Sequence, residues 1–402
     1  MKKLKKPKFL FIEPCDFQSF PSGGKLSFAK QMLSVFGNKM ALVGIDAGDF
    51  EVGKWGIKNI SGQEYYFFSM GHRNPTAKKP IIPDRIKNYY QLSKHKNSIL
   101  SLGISNAFIE SPEVLFVAAE WGLESICYRF AGVENPLKMP RYTYGKYLTN
   151  IFDRKLFAAL NKTNLILASA DEKSVDGLIQ RSRGKLLKEN IIPFHTRVDT
   201  NIFHPCDQAE SRRTLGVSQD IPIIVNVGRI NRVKGWELIL DSFNCFCKKN
   251  PETKLIFVGD GEDREQLEQY AKKLNLNDKI LITGFKPPEV VALYINASDI
   301  AVVGSHKEGW SIAMIEALTC GKAIVTTDVS GAEEMVVKGK NGFVVKERNP
   351  DIFAEAMINA LNLPNPSNLN SVITEKFSLN NLEKDLSTKW CPISNNEKLK
   401  HI

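Results

Sequence analysis

Short apolar runs rich in β-branched residues recur along the chain, and between them lie segments whose apolar residues return every three or four positions. The first pattern is that of a strand buried on both faces and the second that of a helix with one face inward. Their alternation predicts parallel sheets with helices on both sides. It is clearest over residues 297–345, where the run Ile300, Ala301, Val302, Val303 stops at Gly304 and Ser305. Apolar residues then fall at Ile312, Ile315, Ala317 and Leu318, which is helical spacing. A second run, Ala323, Ile324 and Val325, follows Cys320, Gly321 and Lys322, and a turn bearing Gly331 comes next. Strand, loop, helix, strand is a βαβ unit, and ligands of open parallel sheets gather at the carboxyl ends of the strands.

In the first half, strands are predicted at residues 8–12, 40–45, 65–69, 114–118 and 165–168. A helix follows the paired Gly23 and Gly24, and another starts near Asp171. Residues 71–85, rich in Pro, Lys and Asn, read as a mobile surface loop. Residues 191–193 and 199–205 read as the way out of a first domain that ends near residue 206. Beyond it a polar helix over 207–215 opens a second series, with strands at 221–227, 255–258 and 280–283 and helices at 236–249, 264–274 and 288–297. A helix over 350–362, a break over 363–370 and a helix over 380–389 close the chain.

A length of 402 residues with 43% hydrophobic and 24% charged residues suits two domains with a core each. No uncharged apolar run approaches the ~18 residues of a membrane span, and the Lys-rich start meets only Phe9, Leu10, Phe11 and Ile12 before Glu13. Neither a span nor a signal peptide is expected. Seven cysteines (15, 127, 206, 245, 247, 320 and 391) without CxxC spacing read as reduced thiols of a cytoplasm. The net charge of +10 favours an acidic partner: nucleic acid, anionic lipid or a phosphorylated substrate. Against nucleic acid, the chain has no zinc-finger spacing, RNP-like strand or arginine stripe. Residues 129–157 mix Arg129, Lys138, Arg141, Lys146, Arg154 and Lys155 with Phe130, Tyr142, Tyr144, Tyr147, Phe152 and Phe157. That composition suits an anionic membrane surface, where each nearby cation gains about 1 kcal/mol, and equally a loop and helix with aromatics inward and lysines outward.

The chemistry concentrates where the 300–303 run gives way to its helix. The first-turn N–H groups there have no partner inside the helix, and the macrodipole adds positive charge, so the turn after Glu308 and Gly309 is a ready anion site. Two carboxylates, Glu308 and Glu316, flank it. A ligand with both phosphate and hydroxyl groups fits such a site, the first taken by backbone N–H and the second by carboxylates.

Several segments of the second half resemble the retaining nucleotide-sugar glycosyltransferases of family 4. They are Val227, Gly228, Arg229, Ile230 with Lys234 and Gly235; residues 257–261 and 282–285; Ala297, Ser298, Asp299; Glu308 and Glu316 with seven residues between them; Ala317 to Gly321; Gly331 to Glu334; and Asn341, Gly342, Phe343. In the first half the likeness rests on Gly23, Gly24 and residues 198–205. The resemblance implies the GT-B architecture: two Rossmann-like, doubly wound α/β domains facing each other across a cleft. It implies an acceptor domain over 1–206, a donor domain over 207–370, and a segment 371–402 whose helix, with Leu382, Leu386 and Trp390, returns to the first domain. It assigns Arg229 and Lys234 to the donor's diphosphate, and to the same phosphates the turn of Gly309, Trp310, Ser311 and Ile312. Glu308 is assigned to the donor sugar and Glu316 to the ribose, with Gly24 and Gly228 lining the donor. Many relatives carry a histidine at the end of a strand matched here to 114–118; the chain has Ala118 there, and Glu120 is the nearest polar candidate for catalysis. The implied partners are a UDP- or GDP-sugar and a glycan or lipid-linked acceptor of surface polysaccharide synthesis, on the inner face of the membrane and without nucleic acid. No cofactor or metal is expected, since fixed cations can take the place of a divalent ion on the leaving diphosphate. The alternatives are a nucleotide-sugar epimerase of the same fold and a non-catalytic nucleotide-sugar-binding partner.

Overall fold

A computed structural model describes residues 6–21, 24–73, 82–137 and 143–390. The chain divides into two units, the first made of Met1–His195 with Asn381–Ile402 and the second of Thr196–Asn380. Each is a sheet with helices on both faces, as the alternation of periods predicts.

In unit 1 the elements run β1 (Phe9–Ile12), α1 (Gly24–Phe36), β2 (Met40–Asp46), β3 (Trp55–Ile60), β4 (Gln63–His72), α2 (Asp84–Leu100), β5 (Asn106–Ile109) and α3 (Pro112–Ala118). There follow β6 (Ser125–Phe130), α4 (Thr149–Leu160), β7 (Leu165–Ala168), α5 (Glu172–Ser182) and β8 (Ile191–Pro193). The sheet order is β3-β4-β2-β1-β5-β6-β7-β8, parallel except for the hairpin β3–β4. Residues 114–118, expected as a strand, are helix α3. Pro112 sits at its first position, where a missing N–H costs nothing, and Val114, Leu115, Val117 and Ala118 are buried. The strand that precedes it, β5, is the four-residue run Asn106 to Ile109. Of the expected mobile loop at 71–85, residues 74–81 lie outside the described residues, as do 138–142 of the basic aromatic stretch.

Unit 2 runs α6 (Gln208–Leu215), β9 (Ile223–Val227), α7 (Trp236–Cys247), β10 (Lys254–Val258), α8 (Arg264–Lys273), β11 (Ile280–Ile282), α9 (Pro288–Ala297) and β12 (Ile300–Val303). It continues with α10 (Ile312–Thr319), β13 (Ala323–Thr327), α11 (Ala332–Met335), β14 (Gly342–Val345), α12 (Pro350–Leu361) and α13 (Ser367–Glu375). Its six strands are all parallel, in the order β11-β10-β9-β12-β13-β14. The helix starts are written in the sequence: the Asp207 side chain accepts from Glu210 N, and that of Asn349 from Asp351 N and Ile352 N, with Pro350 at the first helical position.

The second unit begins earlier and ends later than 207–370. Val198 N donates to the Phe377 carbonyl and Leu379 N to the Val198 carbonyl, which ties the entry and exit strands of the unit together. The Asn370 side chain accepts from Asn341 and donates to the Lys322 carbonyl, so α13 belongs to this unit too. Asn381–Ile402 return to unit 1, where α14 (Leu382–Lys389) buries Leu382 and Leu386. Trp390, 2% exposed, packs edge-on against Phe9 with ring centres 5.2 Å apart and donates through Nε1 to Ser125 Oγ at 2.8 Å. Removing that ring leaves a cavity between α14 and β1. Trp390→Ala is therefore expected to cost about 3–5 kcal/mol of unit 1 stability, read as a shifted urea midpoint for a probe in unit 1.

Candidate active site

The second sheet reverses direction of winding between β9 and β12: β10 and β11 are laid down on one side of β9, then β12 starts on the other. At such a switch point the loops leave the two strand ends in opposite directions and open a crevice. Gly228 and Arg229 follow β9, and the loop from Gly304 to Ser311 follows β12, so the crevice is lined by the two segments the sequence singles out. The loops also hold each other. His306 N donates to the Val233 carbonyl at 2.8 Å, and Asn226 Nδ2, inside β9, donates to the Val302 carbonyl at 2.8 Å. Gly235 has φ +66°, and a Cβ there would stand 1.9 Å from the Gly304 carbonyl oxygen, so only glycine lets the loops come this close.

Lys234 and Glu308 meet across the crevice. Lys234 Nζ donates to Glu308 Oε1 at 2.6 Å, and Ser305 Oγ donates to the same oxygen at 2.6 Å. The Glu308 side chain is only 10% exposed, so the pair is shielded, while the Lys234 side chain keeps 36% of its surface open. Lys234 is held in place by its backbone, since Lys234 N donates to Asn231 Oδ1. Arg348 reaches the same loop, donating to the carbonyls of Gly304 and Ser305, and Thr327 Oγ1 also donates to the Ser305 carbonyl. Arg229 is exposed beside Gly228.

Gly309, Trp310, Ser311 and Ile312 lead into α10, whose first N–H groups have no helical carbonyl to bond. The Trp310 side chain, however, faces inward: it is 6% exposed, packs on Phe377 with ring centres 5.1 Å apart, and covers Gly331. What Trp310 offers a ligand is its backbone. Glu316 lies farther along α10, and burial pushes its carboxyl up to about 7. Among the described residues, no side chain donates to that carboxylate.

The remaining expected residues are not gathered here. Gly24 opens α1 in unit 1, with open space where a Cβ would be. Glu120 follows the end of α3, shortly before β6 begins, and its 67% exposed carboxylate accepts from Lys162 Nζ at 2.6 Å. That is a surface ion pair at the amino edge of the first sheet, opposite the edge where ligands bind. The residue that follows the true strand end is Glu110, not Ala118, and sequence reading missed it by misplacing the strand. Phe285 stands 82% exposed just past β11, an apolar ring left open at the carboxyl edge of the second sheet.

Residues 207–376 match the family model described as "Glycosyl transferases group 1". A D-inositol 3-phosphate glycosyltransferase of Geodermatophilus obscurus is 33% identical over 172 residues, 40% of this chain and 38% of its own length. The chain thus matches about two fifths of the length of that curated relative. Among solved structures, a sucrose-phosphate synthase from Thermosynechococcus elongatus superposes with a TM-score of 0.76 at 17% identity, covering 94% of this chain and 97% of that one. HepE of Anabaena, solved in complex with UDP, gives 0.70 at 16% identity over 94% and 98%. At such identities the likeness is one of fold: the chain has the two-domain α/β fold of the GT-B glycosyltransferases, and its residues 207–376 are similar to group 1 glycosyl transferases.

Proposed function

We propose that the protein is a retaining, metal-independent glycosyltransferase that moves a sugar from a UDP- or GDP-sugar to a glycan or glycolipid acceptor in cell-surface polysaccharide synthesis. The observation that carries this reading is the switch-point crevice of unit 2, where Lys234 meets a shielded carboxylate on the loop that leads to a helix start, with Arg229 on the facing loop after β9. A nucleoside diphosphate leaving group gathers negative charge as the sugar departs. On this reading Arg229, Lys234 and the first-turn amides of α10 meet that developing charge and stabilise the transition state more than the ground state. The UDP complex of the Anabaena protein supports the same ligand class, and the glycosyltransferase named in Geodermatophilus supports glycosyl transfer. Glu308 turns its second oxygen to the sugar while Lys234 bridges it to the diphosphate, and Phe285 offers a face on which a nucleobase stacks.

Lys234→Ala and Arg229→Ala are each expected to lower turnover of the donor by ~10²-fold or more with the unfolding midpoint retained, measured by initial rates and thermal melts on the same samples. Equal losses in melting temperature and rate would make the two residues structural instead.

Glu316 provides a pH test. Its folded pKa, about 7, lies above the ordinary value of 4.5, so the wild-type fold loses stability as pH rises from 4.5 to 7. Glu316→Gln removes that loss and also an acceptor for ribose hydroxyls. The variant should melt higher than wild type at about pH 8, melt alike at about pH 4.5, and bind UDP more weakly at about pH 8. Unchanged affinity for free nucleoside diphosphates would remove Glu316 from the site.

For the acceptor we propose a membrane origin. Arg129, Phe130 and Phe157 of the basic aromatic stretch are buried, so the surface that remains is smaller than the composition suggests. Ile86 and Tyr90 on α2 are exposed, as are Tyr147, Leu148 and Ile151 at the start of α4. Lys155 Nζ, 5.7 Å over the Tyr89 ring, joins the two helices, Lys146 Nζ lies 5.0 Å over the Tyr147 ring, and Lys87 and Arg154 are on the same two helices. Apolar groups beside cations suit an anionic bilayer. Binding to vesicles of phosphatidylglycerol is expected to weaken with salt and to fall severalfold in a Tyr147→Ser, Ile151→Ser double variant. Salt-insensitive binding would reject the membrane reading.

A further inference from the structure

Unit 1 has its own switch point. β2 is laid down on one side of β1 and β5 on the other, so a crevice lies between the carboxyl ends of β1 and β5. The register pairs Ile12 with Ile109 and Ile109 with Tyr128, which sets the following residues, Glu13, Glu110 and Arg129, in one row across three strand ends. Lys25, in the first turn of α1, donates to Ser111 Oγ at 2.7 Å and lies 3.3 Å from Glu13 Oε1. Ser111 Oγ donates to the same Glu13 oxygen at 2.7 Å. Arg129 is bonded to Glu110 Oε1, and its guanidinium lies 3.8 Å over the Phe28 ring.

One oxygen of each carboxylate is thus bound. The other is not: Glu13 Oε2 and Glu110 Oε2 are buried, on residues 3% and 1% exposed, and among the described residues no donor reaches them. Buried acceptors left without donors are rare in native folds, and two of them sit at neighbouring strand ends of a switch point. Ser169, which follows β7 on the same edge, has a buried hydroxyl in the same condition. A ligand that completes this crevice brings hydrogen-bond donors.

Resting on the reading of unit 1 as the acceptor domain, we propose that Glu13 and Glu110 bind two hydroxyl groups of an uncharged sugar or polyol acceptor. Lys25 and Arg129 already balance the two carboxylates, and Arg85 lies 4.0 Å from the nearby Glu113, so no unbalanced charge is left to attract an ammonium group. A phosphate placed there would face two buried carboxylates, whose negative charge repels it. The crevice therefore discriminates against phosphorylated acceptors, in contrast to the phosphate-seeking crevice of unit 2. Its entrance is Lys25, whose side chain is 38% exposed over a Glu13 side chain 5% exposed.

The test uses the full chain and two sets of probes: UDP, which reads unit 2, and a panel of methyl hexosides and myo-inositol, each compared with glucosamine and glucose 6-phosphate. Affinities are measured by calorimetry and by saturation-transfer resonance. At least one neutral probe should bind, with its affinity reduced ~10-fold or more in Glu110→Gln and in Glu13→Gln, while UDP affinity stays the same. Should one variant fail to fold, the other carries the comparison. Tighter binding of the phosphorylated or amino sugar, no binding by any neutral probe, or lowered melting temperature with unchanged sugar affinity would overturn the proposal. Such a failure with UDP still bound leaves the glycosyltransferase reading standing; loss of UDP binding in the unaltered chain would sink that reading instead.

Discussion

Both units depend on one constraint: a parallel sheet built outward from a central strand has to leave that strand in two directions. The loops at β9 and β12 diverge for this reason, as do those at β1 and β5, and no helix can cover the gap between them. The rest of each sheet is closed by buried apolar faces, with Ile224, Val225, Val302 and Val325 in one and Leu10, Phe11, Ala107 and Phe108 in the other nearly without exposure. Chemistry is confined to the strand ends because polar groups are tolerated only where burial is incomplete or where partners are supplied.

The two crevices solve the same geometric problem with different chemistry. In unit 2, the turn into α10 presents amides and Lys234 and Arg229 present cations, while Glu308 is neutralised by Lys234 and Ser305. In unit 1, Glu13 and Glu110 are each held by a cation through a single oxygen, and burial raises the carboxyls of both, Glu110 to about 7. Removing Arg129 would leave the Glu110 carboxylate buried without its cation, a cost of about 3–5 kcal/mol for a fully enclosed site. Such a cost keeps the carboxylates fixed ahead of ligand arrival, and fixed groups lose less entropy on binding than mobile ones.

Unit 2 was legible because its strands are continuous apolar runs flanked by glycine, and its helices carry their own start signals, such as Asp207 and the pair Asn349 and Pro350. Unit 1 was legible only in part. The run 114–118 is as apolar as a buried strand, and over so few residues periodicity does not separate a strand from a helix buried on most sides. Pro112 was the available signal, since proline at a first helical turn is common and proline in a central strand is not. The price of that misreading was the position of Glu110, because a strand placed eight residues late put Ala118 and Glu120 where Glu110 and Ser111 belong. Arg129 misled in another way: composition treats every arginine as a surface cation, and only the register shows that this one faces a carboxylate inside the sheet edge.

The Lys234–Glu308 pair links fold to chemistry in unit 2. At 2.6 Å and with Glu308 only 10% exposed, it is the contact that fixes the loop after β12 against the one after β9. On the proposed reading a diphosphate would compete with Glu308 for the same ammonium, and since lysine has three protons to share, binding would redistribute its hydrogen bonds rather than break them all. Arginine at 234 would not do the same, since its planar fork would lock bidentately onto the carboxylate. The pair therefore supports the crevice when it is empty and yields to an anion when one arrives. The same economy explains why Gly235 follows directly: the backbone must turn at φ +66° beside the Gly304 carbonyl to bring the lysine into range of both partners.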